Sequence, residues 1–167
     1  MNTWKKRGMQ FAAVIVTASA FIGLIRIIIT IQNKMQQEIE EQKVFVNQYI
    51  KKLQIMNEWI KIKTNNRSIS DYLAEMGYHT VAIYGMEGMG DCLLNELRHG
   101  NITVKYAIDK NAEKIYTQVD LYTPNDDLPE VDAIVSTDLM ETRNIRKQLK
   151  CNKQCPVLSL EEIIMEL

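Results

Sequence analysis

The sequence predicts an α/β fold with a five-stranded parallel sheet, preceded by a transmembrane helix and a long amphipathic helix. Short β-branched and apolar runs alternate with helical patterns over residues 78–167. A glycine cluster stands between the first of these runs and the helix after it, and a long apolar segment lies near the N-terminus. Strands that alternate with helices of this length imply a parallel sheet with both faces covered.

Charge separates a basic N-terminus from an acidic body. Five of the 20 basic residues and none of the 21 acidic ones lie in residues 1–35, so the rest of the chain carries a net charge of −6. Such a body lacks the basic surface that a phosphate backbone requires, and we expect no nucleic acid partner. We expect three parts: a basic N-terminus and anchor at 1–35, a helical stalk and linker at 36–67, and the α/β domain at 68–167.

Residues 11–31 are the predicted membrane anchor. As a helix they are about 32 Å long, which is enough to cross the hydrocarbon core. Their large apolar side chains, at about −0.5 kcal/mol each, outweigh Arg26 at about 3 kcal/mol. A signal peptide is one alternative, because Ala18-Ser19-Ala20 has the small-x-small form, and an interfacial helix is another.

The orientation of the anchor rests on two opposed arguments. Lys5, Lys6 and Arg7 favour a cytoplasmic N-terminus, which would export the rest of the chain. A nucleotide-type domain with free cysteines belongs in the cytosol, and Arg26 and Lys34 partly balance the charge count. We therefore expect a membrane-anchored protein whose soluble domain is cytoplasmic.

Residues 36–63 predict an amphipathic helix. Apolar residues recur every seven positions, at Ile39, Val46, Leu53 and Ile60. This spacing suits a short coiled coil, although polar residues interrupt the second position of the seam and other apolar residues widen the face. A homodimer formed through this stalk and packing of the stalk onto the following domain both remain open.

A glycine cluster follows the first predicted strand, with the spacing Gly85-x-x-Gly88-x-Gly90. Glycines let the backbone turn tightly and approach a phosphate, and the helix that follows offers unpaired N–H groups and a positive dipole end. Glu87 stands where the usual G-x-G-x-x-G pattern has its second glycine, so a carboxylate lies where a pyrophosphate would approach. The cluster indicates the fold more strongly than it indicates the ligand.

The other elements follow in order. A short helix capped by Ser68, with Gly77 after its end, precedes the first strand. The predicted strands are 80–84, 102–108, 118–122, 131–135 and 156–159. The later predicted helices are 88–98, one from a Ser136-Thr137-Asp138 cap to Lys150, and 160–167, entered through Ser159. We expect the sheet order 3-2-1-4-5.

Ligands of such sheets bind beyond the carboxyl ends of the strands, where the strand order reverses. The candidate binding residues there are Gly85, Met86, Gly88, Met89, Gly90, Asp109, Lys110, Ser136 and Thr137. We expect the N–H groups of Met89 and Gly90 to hold a phosphate and Ser136 or Thr137 to make a hydrogen bond from across the cleft. Asp109 follows Gly85 by 24 residues, close to the separation of a ribose-binding acid, and the alternative is an acid that starts a turn.

The sequence contains no nucleophile beside a base and no converging pair of carboxylates. The spacing of the cysteines also lacks a second pair of metal ligands. We therefore expect a binding module with no catalytic and no metal-binding residues.

Four stretches form a recognisable series: Val81–Met86, Val104–Asp109, Leu128–Val135 and Pro156–Glu162. They resemble the small Rossmann-like nucleotide-binding domains of bacterial cell-surface polysaccharide biosynthesis proteins. Such domains include the N-terminal part of sugar O-acyltransferases and the domain beside the membrane region of nucleotide-sugar epimerase/dehydratases. The resemblance covers about residues 78–167, and no acyltransferase repeat or epimerase domain follows.

The resemblance implies that the Gly85–Gly90 loop and Asp109 contact a nucleotide, with NAD(P) or a nucleotide sugar as the ligand. Partners would be polysaccharide-biosynthesis enzymes, for which the chain would be an accessory or sensing protein. Two other functions remain open. One is a subunit of an oxidoreductase or sugar-modifying enzyme completed by a partner chain. The other is a protein-interaction module on a degenerate fold, for which Glu87 is the main argument.

Overall fold

The structure, a computed structural model, describes residues 3–139, 142–150 and 155–167, without the side chains of residues 3–20, 22, 142, 143, 146 and 150. The chain divides into two compact units, residues 1–47 and residues 48–167. The first helix, α1, spans Thr3–Thr64, so the predicted anchor and stalk segments both lie on it.

The predicted anchor at 11–31 is only partly covered by the description. Within the residues whose side chains the structure describes, no helix is both long enough and apolar enough to cross a membrane. The side chains of residues 11–20 lie outside that set. The anchor therefore stays a prediction.

The α/β part of the chain contains the helices α2 Ile69–Glu75, α3 Met89–Arg98, α4 Thr142–Lys150 and α5 Leu160–Glu166. A 3-10 helix lies at Ala112–Lys114. The strands are β1 Thr80–Tyr84, β2 Thr103–Ile108, β3 Asp120–Tyr122, β4 Ala133–Ser136 and β5 Val157–Ser159. Each predicted strand is present, with ends that differ from the prediction by no more than two residues.

The sheet has the order β3-β2-β1-β4-β5, and all of its strand pairs are parallel. The predicted fold class and strand order are thereby confirmed. In the register, Tyr84 at the end of β1 pairs with Ile108 of β2 and Ser136 of β4. The three central strands therefore end at the same level, where the strand order reverses.

The first face of the sheet is covered by α2, α3, α5 and the last turns of α1. Ile55, Trp59 and Ile62 of α1 are buried in this core with residues such as Leu93, and Trp59 Nε1 donates a hydrogen bond of 2.7 Å to Glu96 Oε2. This packing explains why the compact unit starts at residue 48, whereas the predicted α/β domain starts at residue 68. One of the two alternatives for the stalk is therefore observed for the end of α1.

The second face is packed against α4. Ile145 and Leu149 of that helix are buried with Tyr106 and Ile108 of β2 and with Leu128. The Tyr106 hydroxyl donates to the Pro129 carbonyl oxygen at 2.8 Å, and burial, the largest cause, raises the pKa of Tyr106 to about 12. This face combines an apolar core with buried hydroxyl groups.

Three predicted helix caps have different outcomes. The Ser68 cap is confirmed, because its Oγ accepts a hydrogen bond of 3.0 Å from Asp71 N. Of the predicted Ser136-Thr137-Asp138 cap, Ser136 is wrong, because strand pairing with Tyr84 continues through that residue. Residues 140 and 141, which precede Thr142 of α4, lie outside the described part of the chain. Ser159 does precede α5, but its side chain makes no capping hydrogen bond.

Candidate functional site

The common level of the three strand ends brings Gly85, Asp109 and Thr137 together, since each is the residue after its strand. Gly85 N donates to Ile108 O at 2.8 Å, and Thr137 N donates to Tyr84 O at 2.9 Å. Asp109 N likewise donates to Tyr122 O at 2.9 Å. Backbone hydrogen bonds therefore place three of the predicted site residues at one edge of the sheet.

Close contacts with neighbouring atoms require glycine at positions 85 and 90. Gly85 has φ +89°, and a Cβ there would lie 2.8 Å from Thr137 Oγ1. A Cβ on Gly90 would lie 2.2 Å from the carbonyl oxygen of Gly85. These two glycines thus let the first turn of α3 rest directly on the end of β1, which is the role of the outer glycines in the usual pattern.

The middle of the loop is open. Gly88, at the N-terminal end of α3, has φ +51°, and a Cβ there would meet nothing within 4 Å. No side chain caps the helix at this position, and the preceding Glu87 is exposed. Gly90 N, one of the two predicted phosphate donors, donates to Glu87 O over a long 3.4 Å. This N–H therefore already has a weak intramolecular partner.

Asp109 holds the loop in place. Its Oδ2 accepts a hydrogen bond of 2.9 Å from Met86 N, and its Oδ1 accepts one of 2.8 Å from Asn111 N. The second bond is the turn that the sequence offered as the alternative to ribose binding, and the first ties the glycine loop to β2. A carboxylate has about four lone-pair sites, so Asp109 keeps room for a ligand hydroxyl.

Thr137 and Ser136 have different positions although they are neighbours. Thr137 Oγ1 donates to the carbonyl oxygen of Gly85 at 2.6 Å. Ser136 is fully buried, and its Oγ has no hydrogen-bond partner among the described residues. Side chains alternate along a strand, so Ser136 lies on the same face as Ile134, the second face.

A cleft of about 290 Å³ opens at this edge of the sheet. Its walls combine loop backbone, charged side chains and amides, from Gln48, Lys52, Tyr84, Gly85, Glu87, Met89, Asp109, Lys110, Asn111, Thr137 and Asp138. The predicted site residues that line it are Gly85, Met89, Asp109, Lys110 and Thr137. The four that do not are Met86, Gly88, Gly90 and Ser136.

Sequence reasoning missed Gln48, Lys52, Asn111 and Asp138 as lining residues. Asn111 and Asp138 lie one residue beyond predicted positions, but Gln48 and Lys52 come from α1. A signal for them exists in the sequence. The buried stripe of α1, with its spacing of three and four residues, continues toward the N-terminus through Lys52 and Gln48.

The charges of the cleft have both signs. Two lysines, Lys52 and Lys110, line the same space as the acidic residues Glu87, Asp109 and Asp138. Within the described part of the chain, no group of three or more His, Cys, Asp and Glu side chains is arranged to hold a metal ion. The arrangement can bind a small polar ligand that carries both an anionic group and hydroxyl groups.

No protein-family model, no curated protein and no solved structure matches the chain.

Proposed function

We propose that this protein binds a nucleotide or a nucleotide sugar in the cleft beyond β1, β2 and β4. The observation that carries the proposal is the position of the cleft, at the point where the strand order reverses and directly on a glycine loop that opens a helix. Parallel α/β sheets bind their ligands at this point because neighbouring loops diverge there.

The phosphate end of such a ligand has suitable partners. Lys52 and Lys110 supply positive charge in the cleft, and the uncapped N-terminus of α3 adds its dipole. Glu87 opposes a phosphate that approaches the loop itself. The ligand is therefore expected to place its phosphate toward the lysines, without the close backbone approach of a dinucleotide site.

The sugar end has hydrogen-bond acceptors and an amide. Asp109 retains lone pairs beyond its two backbone hydrogen bonds, and Asn111 and Asp138 line the same space. Ribose or hexose hydroxyls donate well to such carboxylates. No serine, cysteine or histidine is among the described residues that line the cleft, and we propose binding without turnover.

The setting of this activity rests on the sequence. The resemblance of residues 78–167 to domains of polysaccharide biosynthesis proteins suggests an accessory or sensing protein for cell-surface polysaccharide assembly. The apolar segment at 11–31 suggests a membrane anchor, with the soluble domain in the cytoplasm.

The test is thermal melting of the full chain in mild detergent against NAD(H), NADP(H) and UDP-sugars. A ligand at 100 times its Kd stabilises the folded state by about 2.7 kcal/mol, which is several degrees in Tm. Glu87→Gly should strengthen binding, because it removes both the repulsion and the side chain. Glu87→Gln is the matched control, since it removes only the charge. Flat melting curves with every ligand, for wild type and for both variants, would contradict the proposal.

A protein-interaction module is the second candidate, because exposed apolar residues of α1 keep coiled-coil spacing. In residues 48–64, Tyr49, Leu53 and Ile60 are exposed although Ile55 and Trp59 of the same segment are buried. In the first unit, large apolar residues of the predicted stalk are exposed as well. A second copy of the chain is the partner that this repeat favours, through residues 36–63.

Sedimentation equilibrium of the full chain tests this candidate. Leu53→Glu should dissociate a homodimer without touching the α/β core, because this side chain is 63% exposed. Lys61→Glu, on the same helix but outside the heptad stripe, is the control. A monomeric wild-type chain would remove the homodimer from consideration.

A further inference from the structure

One of the positively charged side chains that line the cleft belongs to α1, which precedes the domain predicted from the sequence. Lys110 is the second residue after β2, whereas Lys52 lines the cleft because α1 packs on the sheet. We propose that Lys52 is the residue that binds the phosphate of the ligand, so that ligand binding depends on α1 and holds its last turns on the sheet. This inference rests on the proposed function and names the residue that selects a phosphorylated ligand.

The adjacent lysine, Lys51, has a structural role. Lys51 Nζ donates to the carbonyl oxygen of Leu139 at 3.2 Å and forms an ion pair of 2.8 Å with Glu161 Oε2. Lys52 has neither a hydrogen bond nor an ion pair with any residue that the structure describes. Of two consecutive lysines, Lys51 packs α1 on the domain, whereas Lys52 lines the cleft without a polar partner among the described residues.

The chemistry of the cleft defines the ligand group that suits Lys52. An ammonium group binds phosphate as a compact point charge with three donors. The carboxylates of the cleft would repel a phosphate placed among them. Asp109 already accepts hydrogen bonds from Met86 N of the glycine loop and from Asn111 N of its own turn. A phosphate is therefore best placed against Lys52, with the hydroxyl groups of the ligand toward the carboxylates.

The same geometry couples the ligand to α1. Lys52 reaches the cleft because Ile55 and Trp59, one and two turns further along α1, are buried in the first-face core. A phosphate that bridges Lys52 to the sheet edge adds a contact that exists only while α1 is docked. Binding should therefore stabilise the docked state of α1 by mass action.

The test uses the full chain, with UDP, ADP and inorganic pyrophosphate as probes and uridine and adenosine as probes without phosphate. We expect the diphosphates to raise the Tm of wild type and of Lys52→Arg. Lys52→Gln removes the charge, keeps two of the four methylene groups, and should weaken diphosphate binding by about ten- to a hundredfold, with nucleoside binding unchanged. Lys51→Gln is the matched control, which should lower the Tm without ligand and keep the ligand-induced shift.

The outcomes separate this inference from the proposed function. Diphosphates that bind Lys52→Gln as well as wild type would overturn the role of Lys52 and leave nucleotide binding intact. An equal loss of affinity in Lys51→Gln would also overturn it, because the loss would then come from packing of α1. If none of the probes shifts the Tm of the wild type, both proposals fail.

Discussion

The two faces of the sheet are built differently. The first face is covered by several helices, including the end of α1, and its core consists of aliphatic residues, methionines and Trp59. The second face is covered, within the described residues, by α4 and the segment around Leu128. It also carries the hydroxyl-bearing side chains of Tyr84, Tyr106 and Ser136, of which Tyr84 and Ser136 are the last residues of their strands.

This contrast teaches where stability and specificity come from. A side chain enclosed by helices on several sides leaves a rigid cavity when it is truncated, whereas a face under one helix can partly collapse. Hydroxyl groups in a core contribute little unless they are paired. The first face should therefore carry most of the folding free energy, and the second face should tolerate change.

The largest expected effect is a truncation in the first face. Leu93→Ala removes a fully buried side chain of α3 and should lower the free energy of unfolding by about 4–5 kcal/mol. Leu149→Ala, an equal truncation in α4 on the second face, should cost about 2–3 kcal/mol. Urea denaturation measures both changes, and equal losses of unfolding free energy would contradict the proposed difference between the two faces.

Gly90→Ala tests how tightly the first face closes on the glycine loop. The new Cβ would lie 2.2 Å from Gly85 O, so the backbone of α3 must move, at a cost of about 2 kcal/mol despite the better helix propensity of alanine. The control is Gly23→Ala, where a Cβ meets nothing within 4 Å. We expect thermal melting to show a lower Tm for the first variant alone. A Gly90→Ala protein as stable as wild type would indicate a loosely packed loop.

Substitutions of two buried serines, one on each face, should have smaller effects on stability. Ser70, in α2 on the first face, accepts a hydrogen bond of 3.0 Å from Asn101 N, so Ser70→Ala should cost about 1 kcal/mol. Ser136 has no such partner among the described residues, and Ser136→Ala should leave stability unchanged or slightly raised. A clear loss of stability in Ser136→Ala would mean that its hydroxyl group is engaged in solution.

The smallest effect is expected at the amino edge of the sheet, outside both faces. Asp132 Oδ2 accepts hydrogen bonds from His79 N and Thr80 N at 2.9 and 2.7 Å. These bonds, that of His79 first, lower the pKa of Asp132. Because the folded pKa lies below the unfolded one, the stabilisation is present above the unfolded pKa, about 4, and is lost as the pH falls through the folded pKa.

Asp132→Asn should therefore reduce the dependence of Tm on pH below about pH 4, with a small change at pH 7. Melting curves between pH 3 and pH 7 measure it. The control is Asp71→Asn, which changes another exposed carboxylate, the acceptor of a hydrogen bond from Ser68 Oγ. An unchanged pH dependence would assign the acid sensitivity to other carboxylates.

The sequence was sufficient for the sheet, because β-branched runs, Gly85 and the later turn residues are local signals. It also predicted the correct edge of the sheet for Asp109, because the number of residues between Gly85 and Asp109 sets that position in a parallel unit. The partners of Asp109 were not predictable, because the bond to Met86 N depends on how the loop folds back. Lys52 was missed for a similar reason: its position depends on the docking of a helix whose heptad pattern also suits a dimer.

The lengths of the edge strands have a consequence for behaviour at high concentration. β3 and β5 contain 3 residues each, whereas β1 and β2 contain 5 and 6. An exposed sheet edge is a template on which another chain can add a strand, and a short edge offers few backbone groups for such pairing. Parallel sheets fold slowly because their strands come from distant segments, and their edges are exposed during that time. The short edge strands of this protein should nevertheless make it resistant to strand-mediated aggregation.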